Sequence, residues 1–255
     1  MICAGIDSGS RALKAVLYDP DQGKVVAAGM RHRGIARQQL AEALLNELLD
    51  EVGLARSDVG RVVATGYGRS GIDLADRAVT EITCHARGVH QLVPEARTII
   101  EIGGQDSKVI RLAPGGRVEE FAMNDRCAAG TGCFLEMVAN RLDLSLDALG
   151  ELAEQSGEPA NISSMCAVFA ETEIIGLLAD GTEPRDIVAG VEQAVARRIA
   201  ALAGRAVAGP VVFTGGVARI GGMSAALAAA ARQEIHTPPD PQFTGALGAA
   251  LIAAG

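Results

Sequence analysis

The order of apolar and polar positions predicts alternating strands and helices along the whole chain. Three apolar runs, separated by turns of Gly, Ser, Asp and Pro, predict three strands within the first 30 residues. Leucines four residues apart then predict an amphipathic helix from about Gln38 to Gly53. A strand at 61–66 and a helix at roughly 72–92, stopped by Pro94, follow it.

The opening pattern recurs at 98–124, again as strand, polar turn, strand, Gly-rich turn and strand. In each copy an acidic residue and a serine stand in or beside the first turn, and a lysine follows. These residues are Asp7, Ser8 or Ser10 and Lys14 in the first copy, and Asp106, Ser107 and Lys108 in the second. An internal duplication is the simplest explanation and predicts an α/β protein of two related lobes, 1–94 and 95–255. Two unrelated hairpins are the alternative.

Helical patterns dominate the second half of the chain. They cover 134–142, a segment starting near Leu146, 167–181, a long stretch at about 184–207 and the Ala-rich stretch 223–232. One strand, 210–216, enters another Gly-rich turn. A closing helix of small residues, at about 244–254, is expected to pack back on the first lobe.

The amino-acid composition is that of a globular protein. Of the 255 residues, 49% are hydrophobic and 21% charged, which is typical of a soluble globular protein with a sizeable core. The net charge of -8 and the 3% aromatic content argue against nucleic acid or anionic lipid as the main partner. Without a signal peptide or a long apolar run, the chain is expected in the cytoplasm. Its five cysteines then indicate core packing, catalysis or metal binding rather than disulfides.

Four Gly-rich turns at strand ends, 7–11, 103–107, 128–132 and 214–218, are the main chemical signal. Glycine lets successive backbone N–H groups approach an oxyanion, and such turns bind phosphate. Asp7 and Asp106 stand in two of them, where carboxylates can hold a hydrated Mg²⁺. The chain lacks the P-loop and the dinucleotide-binding glycine motifs. We therefore expect a nucleotide site of another kind.

These motifs resemble a known superfamily. Residues 5–19 (GIDSGSRALKAVLYD), 100–110 (IEIGGQDSKVI) and 211–218 (VVFTGGVA) resemble the two phosphate motifs and the adenosine motif of the actin, Hsp70 and sugar-kinase ATPases. More narrowly, TEITCHARG (80–88), IGGQDSK (102–108), NDRCAAGTGCFLE (124–136) and SSMCAVFAETE (163–173) resemble the activators of 2-hydroxyacyl-CoA dehydratases. The ATP-binding subunits of benzoyl-CoA reductase belong to the same family.

The resemblance covers essentially the whole chain and implies a fold and an activity. The fold is two duplicated actin-like (ribonuclease H-like) ATPase lobes with a nucleotide in the cleft between them. The activity is ATP-dependent, low-potential electron transfer in anaerobic metabolism, from a ferredoxin or flavodoxin to a dehydratase or an aryl-CoA reductase component. A small-molecule kinase and a metal-free nucleotide switch are the alternatives of another class. Neither the acyl-CoA nor the partner enzyme can be identified from the sequence.

The resemblance also assigns roles within the ATP site. Asp7 and Asp106 would organise Mg²⁺ and the attacking water, and Gln105 would position that water. The remaining residues expected to bind ATP or ADP are Ser8, Gly9, Ser10, Arg11, Lys14, Gly103, Gly104, Gly130, Thr131, Gly132, Gly215, Gly216, Val217 and Gln242. Two positions depart from the family pattern: Ser8 replaces an apolar residue, and Ile220 stands where Asn is common.

The cysteines divide by their surroundings. Cys3 and Cys84 lie in apolar patterns and are expected in the core. Cys127 and Cys166 each precede a helix, a place that stabilises thiolates, so a metal role and two buried thiols both remain open. The resemblance implies that both bind one [4Fe–4S] cluster, shared with the same two residues of a second chain in a homodimer. Cys133 is interpreted as a bystander and as the remaining candidate for a thiol near that cluster.

Other charged residues have less specific interpretations. Glu81 and His85 lie four apart on one predicted helix, and a local hydrogen bond or lobe contact is preferred over a metal pair. Glu171 and Glu173 are expected to interact favourably with the helix dipole, although a part in transmitting the nucleotide state to the cluster is an alternative. Arg197 and Arg198 are predicted on a solvated helix face.

Overall fold

A computed structural model describes residues 1–32, 36–164, 166–204 and 207–255. The chain forms two compact units by contact density. Unit 1 comprises 1–96, 112–119 and 243–255, and unit 2 comprises 97–111 and 120–242. The lobe limits inferred from the sequence, 1–94 and 95–255, stay a prediction.

Strands and helices alternate through the described ranges. The strands are β1 (Ile2–Ser8), β2 (Ala12–Asp19), β3 (Lys24–His32), β4 (Val59–Thr65), β5 (Arg77–Ala78), β6 (Thr98–Ile102), β7 (Ser107–Leu112), β8 (Val118–Asn124), β9 (Val211–Thr214) and β10 (Ile235–His236). The α-helices are α1 (Arg37–Glu51), α2 (Glu81–Leu92), α3 (Gly132–Arg141), α4 (Leu146–Ala153), α5 (Ala167–Ala179), α6 (Pro184–Ala203), α7 (Met223–Ala231) and α8 (Thr244–Ala254).

The sheet of unit 1 has the strand order β3-β2-β1-β4-β5. Strands β1 to β3 are antiparallel neighbours, while β4 runs parallel to β1 and β5 runs parallel to β4. Helix α1 buries its leucine stripe against this sheet, as the four-residue spacing predicts. Helices α2 and α8 pack together because Gly248 brings α8 onto the backbone of α2, where a Cβ would lie 1.7 Å from the Cys84 carbonyl oxygen.

The sheet of unit 2 repeats this arrangement in the order β10-β9-β6-β7-β8. β6 pairs antiparallel with β7 and parallel with β9, as β1 pairs with β2 and β4. Its core contains Phe134 of α3, Phe213 of β9 and the inward face of α6. Two five-stranded mixed sheets of equivalent order, covered by helices, confirm the predicted α/β fold with an internal duplication.

Two helix limits differ from the sequence-based expectation. The helix expected at roughly 72–92 begins only at Glu81, because Thr80 caps it by accepting a hydrogen bond from the Thr83 amide. Within the segment before it, only Arg77 and Ala78 form regular structure, as strand β5. Helix α6 ends at Ala203, and residues 205 and 206 of the predicted span lie outside the described residues. Among the described helices, none is long and apolar enough to cross a membrane.

Candidate functional site

The first predicted phosphate turn lies at the end of β1 in unit 1. The Asp7 side chain is buried there, and Lys14 Nζ donates to its Oδ2 at 3.0 Å. These two residues are direct cross-strand partners in the β1–β2 register. Ser10 and Arg11 lie at the more exposed tip of the turn. Unit 1 therefore presents a buried carboxylate, paired with a lysine, beside a polar turn.

The second predicted phosphate turn joins β6 and β7 in unit 2. The Lys108 ammonium, almost fully buried, contacts Glu101 Oε2 at 2.9 Å and Asp106 Oδ2 at 2.6 Å. The turn is closed by a hydrogen bond from the Gly103 amide to the Asp106 carbonyl oxygen, 2.9 Å long. Gln105 is exposed at its tip. One lysine thus holds two carboxylates at this turn.

Glu101 is a candidate site residue that the sequence analysis missed. Strand register makes Glu101 the partner of Lys108, as Asp7 is the partner of Lys14. The acid that corresponds to Asp7 in the second copy is therefore Glu101, in the strand, and Asp106 is an additional acid in the turn. The signal was present in the sequence, because the acid and the lysine are seven residues apart in both copies.

Two further predicted turns meet the second one within unit 2. The amides of Gly132 and Cys133, at the start of α3, donate to the carbonyl oxygens of Gly103 and Gly104 at 2.9 and 2.8 Å. Val217 lies against Gly132: a Cβ added to Gly132 would be 3.1 Å from a methyl carbon of Val217. The turns 103–107, 130–132 and 214–218 therefore pack against one another within unit 2.

Other residues predicted to bind ATP or ADP lie in or beside these turns. Gly215 has a φ of +93°, and a Cβ there would lie 2.8 Å from Glu101 Oε1 and 2.3 Å from the Ile102 carbonyl oxygen. Only glycine lets the chain pass that close. Around Gly216 the space is open, and Thr131 and Gln242 are buried. The structure thus places the predicted residues Gly103 to Asp106, Gly130 to Gly132 and Gly215 to Val217 together, while Ser8 to Lys14 lie in unit 1.

The five cysteines, all within the described residues, form no disulfide. Cys3 and Cys84 are buried, which confirms the expectation that they belong to the core. Burial raises the pKa of both thiols, that of Cys84 to about 11, so both stay protonated. Cys127 and Cys166 are exposed, and each is the N-cap residue of a helical segment.

Hydrogen bonds hold the backbone around the two exposed cysteines. The Asn124 side chain accepts from the Cys127 amide at 3.1 Å and donates to the Cys127 carbonyl oxygen at 2.9 Å. Glu173 accepts from the amides of Ser163 and Ser164, both at 2.9 Å, and from the Ser163 hydroxyl at 2.7 Å. Burial alone would raise the pKa of Glu173, but these hydrogen bonds outweigh it and lower the pKa to about 2. Glu173 therefore anchors the segment before Cys166.

Arg198 of α6 contacts the segment before Cys166 and lies near Cys127. It donates to the Ser164 carbonyl oxygen at 2.5 Å and to the Ala194 carbonyl oxygen at 2.9 Å. Burial lowers the pKa of the Arg198 guanidinium, and the nearby Cys127 side chain opposes that shift. The prediction of a solvated helix face is wrong for Arg198, which is half-buried against the Ser164 carbonyl oxygen. Arg197 is exposed as predicted, and it also donates to the Ile162 carbonyl oxygen at 3.3 Å.

This donor set fits an iron–sulfur cluster in its chemistry. Two exposed thiols at helix starts, one of them near an arginine, suit an anionic, thiolate-bound group. Within the described ranges, no group of three or more His, Cys, Asp or Glu residues comes together as a complete metal site. One chain thus presents a pair of thiols, which is fewer than the four that a [4Fe–4S] cluster takes. Cys133 contacts the phosphate turn through its backbone and is partly exposed.

Proteins of known activity are similar to this chain in sequence. Residues 4–253 match the sequence profile of the BadF/BadG/BcrA/BcrD ATPase family. The chain is 46% identical to the activator of lactoyl-CoA dehydratase from Anaerotignum propionicum, over 99% of this chain and 97% of the relative. It is 36% identical to one of the subunits of benzoyl-CoA reductase from Thauera aromatica, over 98% of this chain and 92% of that one.

The fold also matches a solved structure. The activator of 2-hydroxyisocaproyl-CoA dehydratase from Clostridium difficile, with bound ADPNP, superposes with a TM-score of 0.95. It is 44% identical, and the match covers 100% of this chain and 94% of that one. Together these likenesses confirm the family resemblance and the fold class expected from the motifs.

Proposed function

The chain belongs to the BadF/BadG/BcrA/BcrD ATPase family, and from this premise we propose that it is an ATP-dependent electron-transfer activator of an acyl-CoA dehydratase. The higher identity to an activator, 46% against 36% for a reductase component, favours a dehydratase as the partner. The single observation that carries the proposal is the coexistence of a glycine-lined acid–lysine site with two exposed, anchored cysteines.

ATP hydrolysis is assigned to the acid–lysine sites of the two units. In unit 1, Asp7 beside Lys14 would hold the hydration shell of Mg²⁺. In unit 2, Glu101 and Asp106 beside Lys108 would supply the acidic groups of the phosphate turn. Backbone amides at the tip of the turn 103–107 would bind phosphate oxygens, and Lys14 and Lys108 would offset their charge. The turn 130–132, whose amides donate to carbonyl oxygens of the protein, would support the phosphate turn from behind. Gln105, exposed beside Asp106, would orient the attacking water, and the turn 214–218 would receive the adenosine.

Electron transfer is assigned to Cys127 and Cys166. When bound, a [4Fe–4S] cluster supplies one-electron transfer at low potential. Asn124 and Glu173 would keep the two thiols at their helix starts, and Arg198 would offset part of the negative charge. Because each chain supplies two such thiols, two chains would complete the ligand set as a homodimer. A ferredoxin or flavodoxin would be the donor.

The two functions are tested together on protein purified without oxygen and with iron supplied. We expect wild type to hydrolyse ATP and to contain iron and sulfide. Asp7→Asn should lose hydrolysis but retain iron, whereas Cys127→Ala and Cys166→Ala should lose iron, and Cys84→Ala should retain it. Iron retained in both Cys127→Ala and Cys166→Ala, or full hydrolysis in Asp7→Asn, would contradict the assignment.

An aryl-CoA reductase component is the second candidate, favoured by the likeness to the benzoyl-CoA reductase of Thauera aromatica. The two candidates differ in assembly. A dehydratase activator purified alone should form a homodimer that activates a separately purified dehydratase. A reductase component should instead need a different, related chain for a stable assembly, and the mass of the isolated protein distinguishes the two.

A further inference from the structure

His85 is a buried polar residue of unit 1 to which the proposed ATPase site assigns no role. We propose that it is a positioning residue for Asp7, acting through its Nε2 edge, with Thr244 fixing the ring. The inference rests on the proposed ATP hydrolysis and adds a residue to that site.

One side of the His85 ring is fixed by a long-range hydrogen bond. His85 lies in α2 with only 5% of its surface exposed. Its Nδ1 is 3.0 Å from the hydroxyl of Thr244, the first residue of α8. Because this contact holds Nδ1, it also sets the direction in which the opposite edge of the ring, Nε2 and Cε1, points.

The opposite edge of the ring faces the Asp7 carboxylate across Gly245. A Cβ on Gly245 would lie 3.1 Å from His85 Nε2, 3.2 Å from Cε1 and 3.5 Å from Asp7 Oδ2. The imidazole and the carboxylate therefore border one small space, which stays open because residue 245 has no side chain. Both groups are buried, so bulk water screens their interaction weakly.

A second observation also places the Asp7 carboxylate close to helix α2. The pKa of the Cys84 thiol, in α2 next to His85, is raised mainly by burial, and the Asp7 carboxylate raises it further. Lys14 approaches Asp7 from β2, at 3.0 Å. Asp7 is thus positioned by a lysine from the sheet and by a histidine from the helix layer.

Packing of α2 on α8 does not require the histidine. Gly88 and Gly248 already bring the two backbones together, because a Cβ on Gly88 would lie 2.1 Å from the Thr244 carbonyl oxygen. The buried imidazole is therefore better explained by its effect on Asp7 than by helix packing.

Two isosteric substitutions separate the two ring nitrogens. In His85→Asn the amide occupies the Nδ1 position, keeps the Thr244 contact and leaves the Nε2 position empty. In His85→Gln the longer side chain returns a polar group to the Nε2 position. We expect the kcat of ATP hydrolysis to fall about tenfold or more in His85→Asn and to recover to within about threefold in His85→Gln.

Gly245→Ala fills the shared space without removing the imidazole. Gly245→Ala should lower kcat as His85→Asn does. The double variant His85→Asn/Gly245→Ala should have a kcat no lower than either single variant, because both substitutions act on the same space between residue 85 and Asp7. His236→Asn, an exposed histidine of unit 2, is the control and should match wild type. Melting temperatures report any general loss of folding.

The outcomes separate this inference from the proposed function. Wild-type kcat in His85→Asn, equal losses in the Asn and Gln variants, or additive losses with Gly245→Ala would each overturn the role of His85 while leaving the ATPase assignment intact. A wild-type protein that does not hydrolyse ATP would overturn the proposed function itself, and with it the inference that rests on it.

Discussion

Replacing Lys108 by Met tests whether the second phosphate turn depends on its buried lysine. Lys108 is 3% exposed at its side chain and contacts Glu101, 7% exposed, and Asp106, 26% exposed. Without the lysine, the Glu101 carboxylate stays buried next to another negative charge. Leaving one member of a buried ion pair without its partner costs about 3–5 kcal/mol. We expect a loss of that size in the unfolding free energy of unit 2.

The same sheet offers a matched control. Arg111 of β7 contacts Glu120 of β8 at 2.7 Å, but these side chains are 35% and 65% exposed. Exposed pairs contribute about 0–1 kcal/mol, so Glu120→Gln should have little effect. In the double variant Lys108→Met/Glu101→Gln, the buried unpaired charge is gone, and part of the lost stability should return.

Urea unfolding followed by far-UV circular dichroism measures these differences, since the chain has no Trp for fluorescence. The predicted order of destabilisation is Lys108→Met, then the double variant, then Glu120→Gln. If Lys108→Met costs no more than Glu120→Gln, or if the double variant is the least stable of the three, the pair does not stabilise the turn as argued.

Three further outcomes follow from the structure. Asp7→Asn should reduce ATP hydrolysis about a hundredfold or more, as loss of a Mg²⁺-organising charge requires, and near-wild-type rates would contradict this. Burial and Glu154 raise the pKa of Glu192 from its ordinary 4.5 to about 8, so the unfolded carboxyl ionises first and stability should fall as the pH rises between these values. Glu192→Gln should remove that fall in urea unfolding at pH 5 and pH 8, and an identical pH dependence would refute it. Gly248→Ala should separate α2 from α8 and lower the melting temperature sharply, whereas Gly176→Ala, in open space, should not; equal effects would count against the close packing.

The strands and turns that build the site were predictable from local sequence. Alternating apolar residues and Gly/Asp turns marked the hairpins β1–β3 and β6–β8, because strand pairing in a hairpin involves neighbouring residues. Helix α1 was predicted by its leucine spacing. The limits of α2 were wrong because apolar residues at 72–80 follow a helical period, while the cap at Thr80 decides where the helix begins.

Residues whose role depends on contacts distant in sequence were harder to predict. Glu101 was overlooked because a single acid in an apolar strand carries no local pattern, although its spacing from Lys108 repeats that of Asp7 and Lys14. Arg198 and Glu173 belong to helices whose periodicity describes a face and not the reach of a long side chain. Their contacts with Ser163 and Ser164 arise only when the helices pack.

Iron content measured together with mass in solution tests the central claim most directly. Protein purified without oxygen and supplied with iron should contain about four iron atoms for every two chains and should have the mass of a dimer. A monomer with a full four-iron cluster would show that one chain completes the site and would contradict the shared ligand set of Cys127 and Cys166. A dimer that hydrolyses ATP but binds no iron would contradict the electron-transfer function.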